Sequence, residues 1–133
     1  MNEDILKKEL LKLKRVLNRF GDVLALPDIA TNEYLHDAAI QRFEFTVGLF
    51  CKILSNILFC DNIDTRTPLE TIGKAYHYKL IDNDKMWFSL LDDKNMIPHI
   101  STPEEAYEIF THLEGYYLTL HTTYQYVSKK FLA

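Results

Sequence analysis

An all-α fold, an antiparallel up-and-down bundle of about five helices in the manner of four-helix bundles, is what this sequence predicts. Three observations carry the prediction. Apolar residues recur alternately four and three apart over long stretches, which places them on one face of a helix. Glycine and proline number only four each, leaving few residues for β-turns. No stretch shows the sustained alternation of a half-buried strand. The 133 residues suit one domain spanning 1–133, and 47% hydrophobic with 26% charged residues is globular composition.

The elements follow in order. A first helix is expected from about Glu3 to Leu26, with Leu6, Leu10, Leu13, Leu17, Phe20 and Leu24 on one stripe and Pro27-Asp28 ending it. A second is expected from about Glu33 to Phe59, capped by Thr31 or Asn32. Ile40, Phe43, Val47, Phe50, Leu54 and Ile57 repeat the stripe, while Phe45, Leu49, Ile53 and Leu58 add a second apolar face. A helix apolar on two sides touches more than one neighbour, and a bundle this small covers only one side well, so a homodimer is expected.

The segment Asp61–Thr67 is polar and reads as a loop. Pro68 then opens a third helix, with Thr67 as its cap and Glu70 closing the box. Its inward residues are expected to be Leu69, Ile72, Ala75, Tyr76 and Leu80. The fourth runs from about Asn83 to Lys94, with Met86, Trp87, Leu90 and Leu91 inward and Trp87 in the core or at a dimer interface. Thr102-Pro103-Glu104-Glu105 opens the fifth with the same capping chemistry. Ala106, Phe110, Leu113, Tyr117, Leu120, Tyr124, Val127 and Phe131 keep the spacing, so this helix is expected to run unbroken for roughly 40 Å to about Phe131.

The formal charge of −4 excludes polyanion binding by bulk charge, yet the charge is unevenly placed. Lys7, Lys8, Lys12, Lys14, Arg15 and Arg19 crowd the first helix, as a solvated face or as a surface for phosphate or an acidic partner. Cys51 and Cys60 do not have the spacing of metal ligands, and they read as reduced, packed thiols in a cytoplasmic protein. The acidic start Met-Asn-Glu-Asp lacks the base of a signal peptide, and no apolar run approaches about 18 residues, so no membrane association is expected.

Most catalytic signatures are missing. There is no Gly-rich phosphate loop, no Walker lysine, no H-E-x-x-H and no nucleophile elbow. A single Glu33-Tyr34-Leu35-His36 spacing falls short of the paired motifs of a di-iron bundle, so neither metal nor cofactor is expected. His77, Tyr78, His112 and His121 read as exposed polar positions. Tyr117 and Tyr124 lie on the core stripe, while Tyr76, Tyr78, Tyr116 and Tyr126 read as interface rings or amphipathic surface.

One stretch stands apart. Asp92-Asp93-Lys94-Asn95-Met96-Ile97-Pro98-His99 reads as a loop between two helices and gathers a cation, a carboxamide and a histidine. Lysine binds phosphate and histidine moves protons near neutral pH, so Lys94, Asn95 and His99 are the candidate catalytic residues. Pro98 and Thr102 constrain the backbone on either side of His99, which is expected to lie exposed beside Lys94 in a groove near the dimer axis. The same residues also fit an ordinary polar helix end.

Ala39-Ile40-Gln41-Arg42-Phe43-Glu44-Phe45-Thr46 resembles the second-helix signature of the nucleotidyltransferase substrate-binding proteins, members of the HEPN superfamily. Thr67-Pro68, Ala75, Leu80-Ile81-Asp82, Trp87, Leu91 and Asp93-Lys94-Asn95 with His99 follow in the family's order, across nearly the whole chain. The resemblance implies a small dimeric helical partner of a minimal nucleotidyltransferase, often the other half of a toxin–antitoxin pair, that engages nucleotide or RNA. It also implies Arg42, Glu44, Asp93 and Ser101 as binding residues. Active HEPN toxins are similar in cleaving RNA without metal through an arginine, a polar residue and a histidine. Here Asn95 and His99 match, Lys94 occupies the arginine position, and Ser101 stands where a tyrosine commonly follows. Lysine is a point charge without arginine's two-pronged grip on phosphate, so binding is expected to survive better than cleavage.

Overall fold

In the computed structural model, residues 3–132 are described. Six α-helices occupy them: α1 (Glu3–Leu24), α2 (Glu33–Cys60), α3 (Pro68–His77), α4 (Asp84–Met96), α5 (Pro103–Phe110) and α6 (Leu113–Leu132). A single 3-10 turn, Ile97–His99, follows α4. Among the described residues there is no strand, and short connections give the antiparallel bundle that the spacing predicts.

The helices start where side chains satisfy the free N–H groups of a first turn. The Asn32 side chain accepts from the Tyr34 and Leu35 amides at 2.9 and 3.2 Å. Thr67 accepts from Glu70 N at 3.1 Å, and Thr102 from Glu105 N at 3.2 Å, each ahead of a proline at the first helical position.

The packing is centred on α2, which touches α1, α3, α4, α5 and α6. Its whole expected stripe, Ile40 to Ile57, is buried. Of its second face, Ile53 and Leu58 are also buried, whereas Phe45 is exposed and Leu49 only half-buried. Encirclement by neighbours explains how apolar this helix is. An 18-residue window in it has a mean hydropathy of 1.6, enough by length and composition to cross a membrane, which corrects the expectation that no segment comes near that limit. Half of that window lies inside the bundle. Trp87 is fully buried, edge-on to Phe50 at 5.1 Å, and its Nε1–H donates to Thr123 Oγ1 at 3.1 Å.

Three expectations need correction. The last helix is not continuous. Thr111 Oγ1 donates to the Glu108 carbonyl at 2.6 Å, and His112 N bonds Ile109 O, three residues back, at 2.9 Å. A hydroxyl competing for a helical carbonyl and tight i→i−3 bonding break the rod into α5 and α6. Ala106, Leu113, Leu120, Tyr124 and Val127 of the expected stripe are buried together with Ile109, Tyr116 and Thr123, while Phe110, Tyr117 and Phe131 are only partly so. Secondly, Leu69 and Tyr76 of α3 face outward. Thirdly, Asp92–His99 is not a loop. The helix runs to Met96 and tightens into the 3-10 turn, because Pro98 sits where a helical start needs no N–H.

Candidate functional site

A concavity of about 890 Å³ is an open groove between α1 and α2. Its α1 wall is Lys12, Val16 and Arg19, spaced four and three on one helix face. Its α2 wall includes Ala38, Gln41, Phe45, Gly48, Leu49 and Lys52, again at three- and four-residue intervals. Lys94, from the last turn of α4, also lines it. Arg42 Nη1 donates to the Arg19 carbonyl at 2.7 Å and so ties α2 to α1 across one end. Five cations, Lys12, Arg19, Arg42, Lys52 and Lys94, thus surround an apolar floor, with Glu44 the one carboxylate in the lining.

Cys51 lies buried beside this groove. Burial pushes its thiol up to about 12, and the Lys94 charge offsets part of that rise. Lys94 shares the groove lining with α2 residues, which puts it on the α2 side of α4.

A second, smaller cavity of about 160 Å³ holds His99. It is lined by Asp93, Met96, Ile100, Glu105, Glu108, Ile109 and His112. Asp93 Oδ2 accepts from His112 Nδ1 at 2.8 Å and from the Tyr116 hydroxyl at 2.7 Å. Burial, then that hydrogen bond and the nearby carboxylate charge, hold the Tyr116 hydroxyl above its usual range. Glu105 is held below the usual carboxylate range by hydrogen bonds from Ser101 and Thr102.

The expected catalytic trio is therefore divided. Lys94 lines the cationic groove, His99 lines the carboxylate-rich cavity, and Asn95 is exposed. His99 is exposed as expected but does not share a cavity with Lys94. Of the expected binding residues, Arg42 and Glu44 line the groove and Asp93 anchors His112 and Tyr116. Ser101 is committed to α5: its hydroxyl and amide donate to Glu105 Oε1 at 2.9 and 3.3 Å.

Other groups escaped the sequence reading. His112 is exposed but paired rather than idle, and Tyr116 is buried rather than superficial. His36 is no metal ligand: it is buried, donates through Nε2 to the Ile29 carbonyl at 2.6 Å and stacks on Phe110 at 4.1 Å. Among the described residues no cluster of His, Cys, Asp and Glu is placed to hold a metal.

The fold is that of a known class of helical bundles, as two solved structures show. A crystal structure of a Thermus thermophilus protein superposes with a TM-score of 0.75 at 24% identity, covering 90% of this chain and 98% of that one. A Haemophilus influenzae structure, described as revealing the fold of a substrate-binding domain of a nucleotidyltransferase, gives 0.66 at 19% identity, covering 99% and 100%. A search of the curated proteins gives no match. The family model described as nucleotidyltransferase substrate binding protein like matches residues 6–129, and the chain belongs to that family.

Proposed function

We propose that this protein is the binding partner of a minimal nucleotidyltransferase and holds a phosphate-bearing substrate in the groove between α1 and α2. The five-cation groove carries this reading. Lys12, Arg19, Lys52 and Lys94 supply charge for phosphates, and the exposed Phe45 ring supplies a face for a base. A net charge of −4 leaves this groove as a local cationic site on an acidic molecule, which suits a steered encounter with an anionic ligand.

The same reading includes a homodimer, a cytoplasmic location and pairing with the enzyme as a toxin–antitoxin module. Phe59, exposed on α2 and outside the groove, supports a contact with another chain. A HEPN-type ribonuclease needs its cation and histidine at one phosphodiester. Within one chain Lys94 and His99 line different cavities, and Asp93, Glu105 and Glu108 around His99 repel phosphate, which favours binding over cleavage.

The test is calorimetric titration with a nucleoside triphosphate at low and high salt, together with co-purification with a minimal nucleotidyltransferase encoded nearby. Lys52→Glu with Lys94→Glu should remove the salt-sensitive triphosphate binding of the groove and leave the circular dichroism spectrum unchanged. Unaltered affinity in the double variant at low salt refutes the groove as the substrate site.

A further inference from the structure

A third concavity, of about 830 Å³, opens between the C-terminal end of α3 and the face of α6 that carries Thr122 and Tyr126. It shares no residue with the basic groove or with the His99 cavity. Its size lies in the range of small-molecule sites. The buried Leu80 and Ile81 form an apolar base, and two half-exposed rings, Tyr76 and Tyr126, line it. The polar lining includes His77, Lys79, Asp82 and Thr122.

Two departures from local rules meet at this cavity. Gly73 lies inside α3, where glycine is a poor helix former. A Cβ added there would meet nothing within 4 Å, so internal packing does not call for glycine. Lys79 has φ 65°, the left-handed region that glycine usually fills at a helix end. The turn itself is ordinary: Lys79 N bonds Tyr76 O at 3.1 Å and Leu80 N bonds Ala75 O at 2.8 Å. Glycine would close that turn with less strain, so the turn does not account for a lysine either. Departures of this kind gather where function overrides stability. Glycine leaves open space on the cavity wall, and the strained position carries a cation on its rim.

We propose that this cleft is a second ligand site, built for a planar heteroaromatic group bearing a phosphate, the class that a nucleoside monophosphate represents. The base lies against Tyr76 and Tyr126, Thr122 and Asp82 bond ribose or base donors, and Lys79 with His77 holds the phosphate. The cleft is independent of the substrate groove.

The experiment is an NMR titration of the full chain with AMP, adenosine and inorganic phosphate separately, following the amides of residues 73–82 and 122–126. AMP should shift these amides, adenosine should bind more weakly, and phosphate alone weaker still. Tyr126→Ala should lower AMP affinity by about tenfold, the loss of one stacking ring. Gly73→Ala and Lys79→Gly should each raise the melting temperature while weakening AMP binding. Lys79→Gly should also bring AMP and adenosine to similar affinity. Lys52→Glu in the basic groove should leave these shifts unchanged, which separates failure of this site from failure of the groove. Shifts confined to the groove, no shift at millimolar AMP, or stabilised Gly73→Ala and Lys79→Gly variants with undiminished affinity would each overturn the proposal.

Discussion

Replacing Gly48 with alanine separates the needs of the fold from the needs of the groove. Gly48 lies well inside the 28-residue α2, and a Cβ built there meets nothing within 4 Å. Alanine is better than glycine in a helix interior by about 1 kcal/mol, and no clash subtracts from that gain. With an unfolding entropy of about 2.1 cal/mol/K per residue, the 133-residue chain carries roughly 0.28 kcal/mol/K, so the melting temperature should rise by about 3–4 °C. Gly21→Ala is the control. It has a similar propensity gain, but its Cβ would lie 2.8 Å from the Tyr117 ring, which packs edge-on to Phe20 at 5.7 Å. That ring must move, so Gly21→Ala should gain less or lose stability. Differential scanning calorimetry reads both. The added methyl of Gly48→Ala also stands on the groove wall and should weaken nucleotide or partner binding. A lowered melting temperature refutes the packing argument, and a raised one with undiminished binding refutes the assignment of the groove.

Two further outcomes are expected. Thr123→Val leaves the buried Trp87 Nε1–H without its acceptor and should cost about 1–3 kcal/mol in urea unfolding; an unchanged midpoint means the indole finds another partner. Cys51, with its thiol raised from 9.0 to about 12, should resist a thiol reagent at pH 8 in the native state while the exposed Cys60 reacts. The sign follows from the raised value: this contribution to stability is complete below pH 9.0 and is lost as pH climbs toward 12, because the unfolded thiol ionises first. Equal native-state reaction rates for the two thiols would contradict the burial of Cys51.

Periodicity made most of the bundle legible. The α2 stripe from Ile40 to Ile57 and the α1 stripe from Leu10 to Phe20 are buried as their spacing requires. The capped starts at Asn32, Thr67 and Thr102 were readable because capping chemistry is local. What escaped depends on competition or on distance. The break at Thr111 turns on whether a hydroxyl or an amide takes the Glu108 carbonyl, a choice that spacing does not encode. The partnership of Asp93 with His112 and Tyr116 joins residues 19 and 23 positions apart, and it exists only once α4 packs against α6. Lys52 joined the groove only once α1 was laid against α2.

The division of the Asp92–His99 stretch follows from its being helical. Successive residues on a helix point about 100° apart, so Asp93 and Lys94 cannot address the same side. Asp93 turns toward α6 and meets His112 and Tyr116; Lys94 turns toward α2 and joins the groove. A loop would have let Lys94 and His99 converge on one phosphate. The helix instead gives each its own surroundings, cationic for Lys94 and carboxylate-lined for His99. Phosphodiester chemistry at His99 would therefore need a cation from another chain, either a second copy or the nucleotidyltransferase. On the proposed reading, any catalysis is contingent on assembly, whereas phosphate binding in the groove is not. Nucleotide affinity should therefore be independent of protein concentration, whereas RNA cleavage, if it occurs, should rise with dimer or complex formation. Cleavage by a monomer at concentrations too low for assembly would show that Lys94 and His99 converge after all.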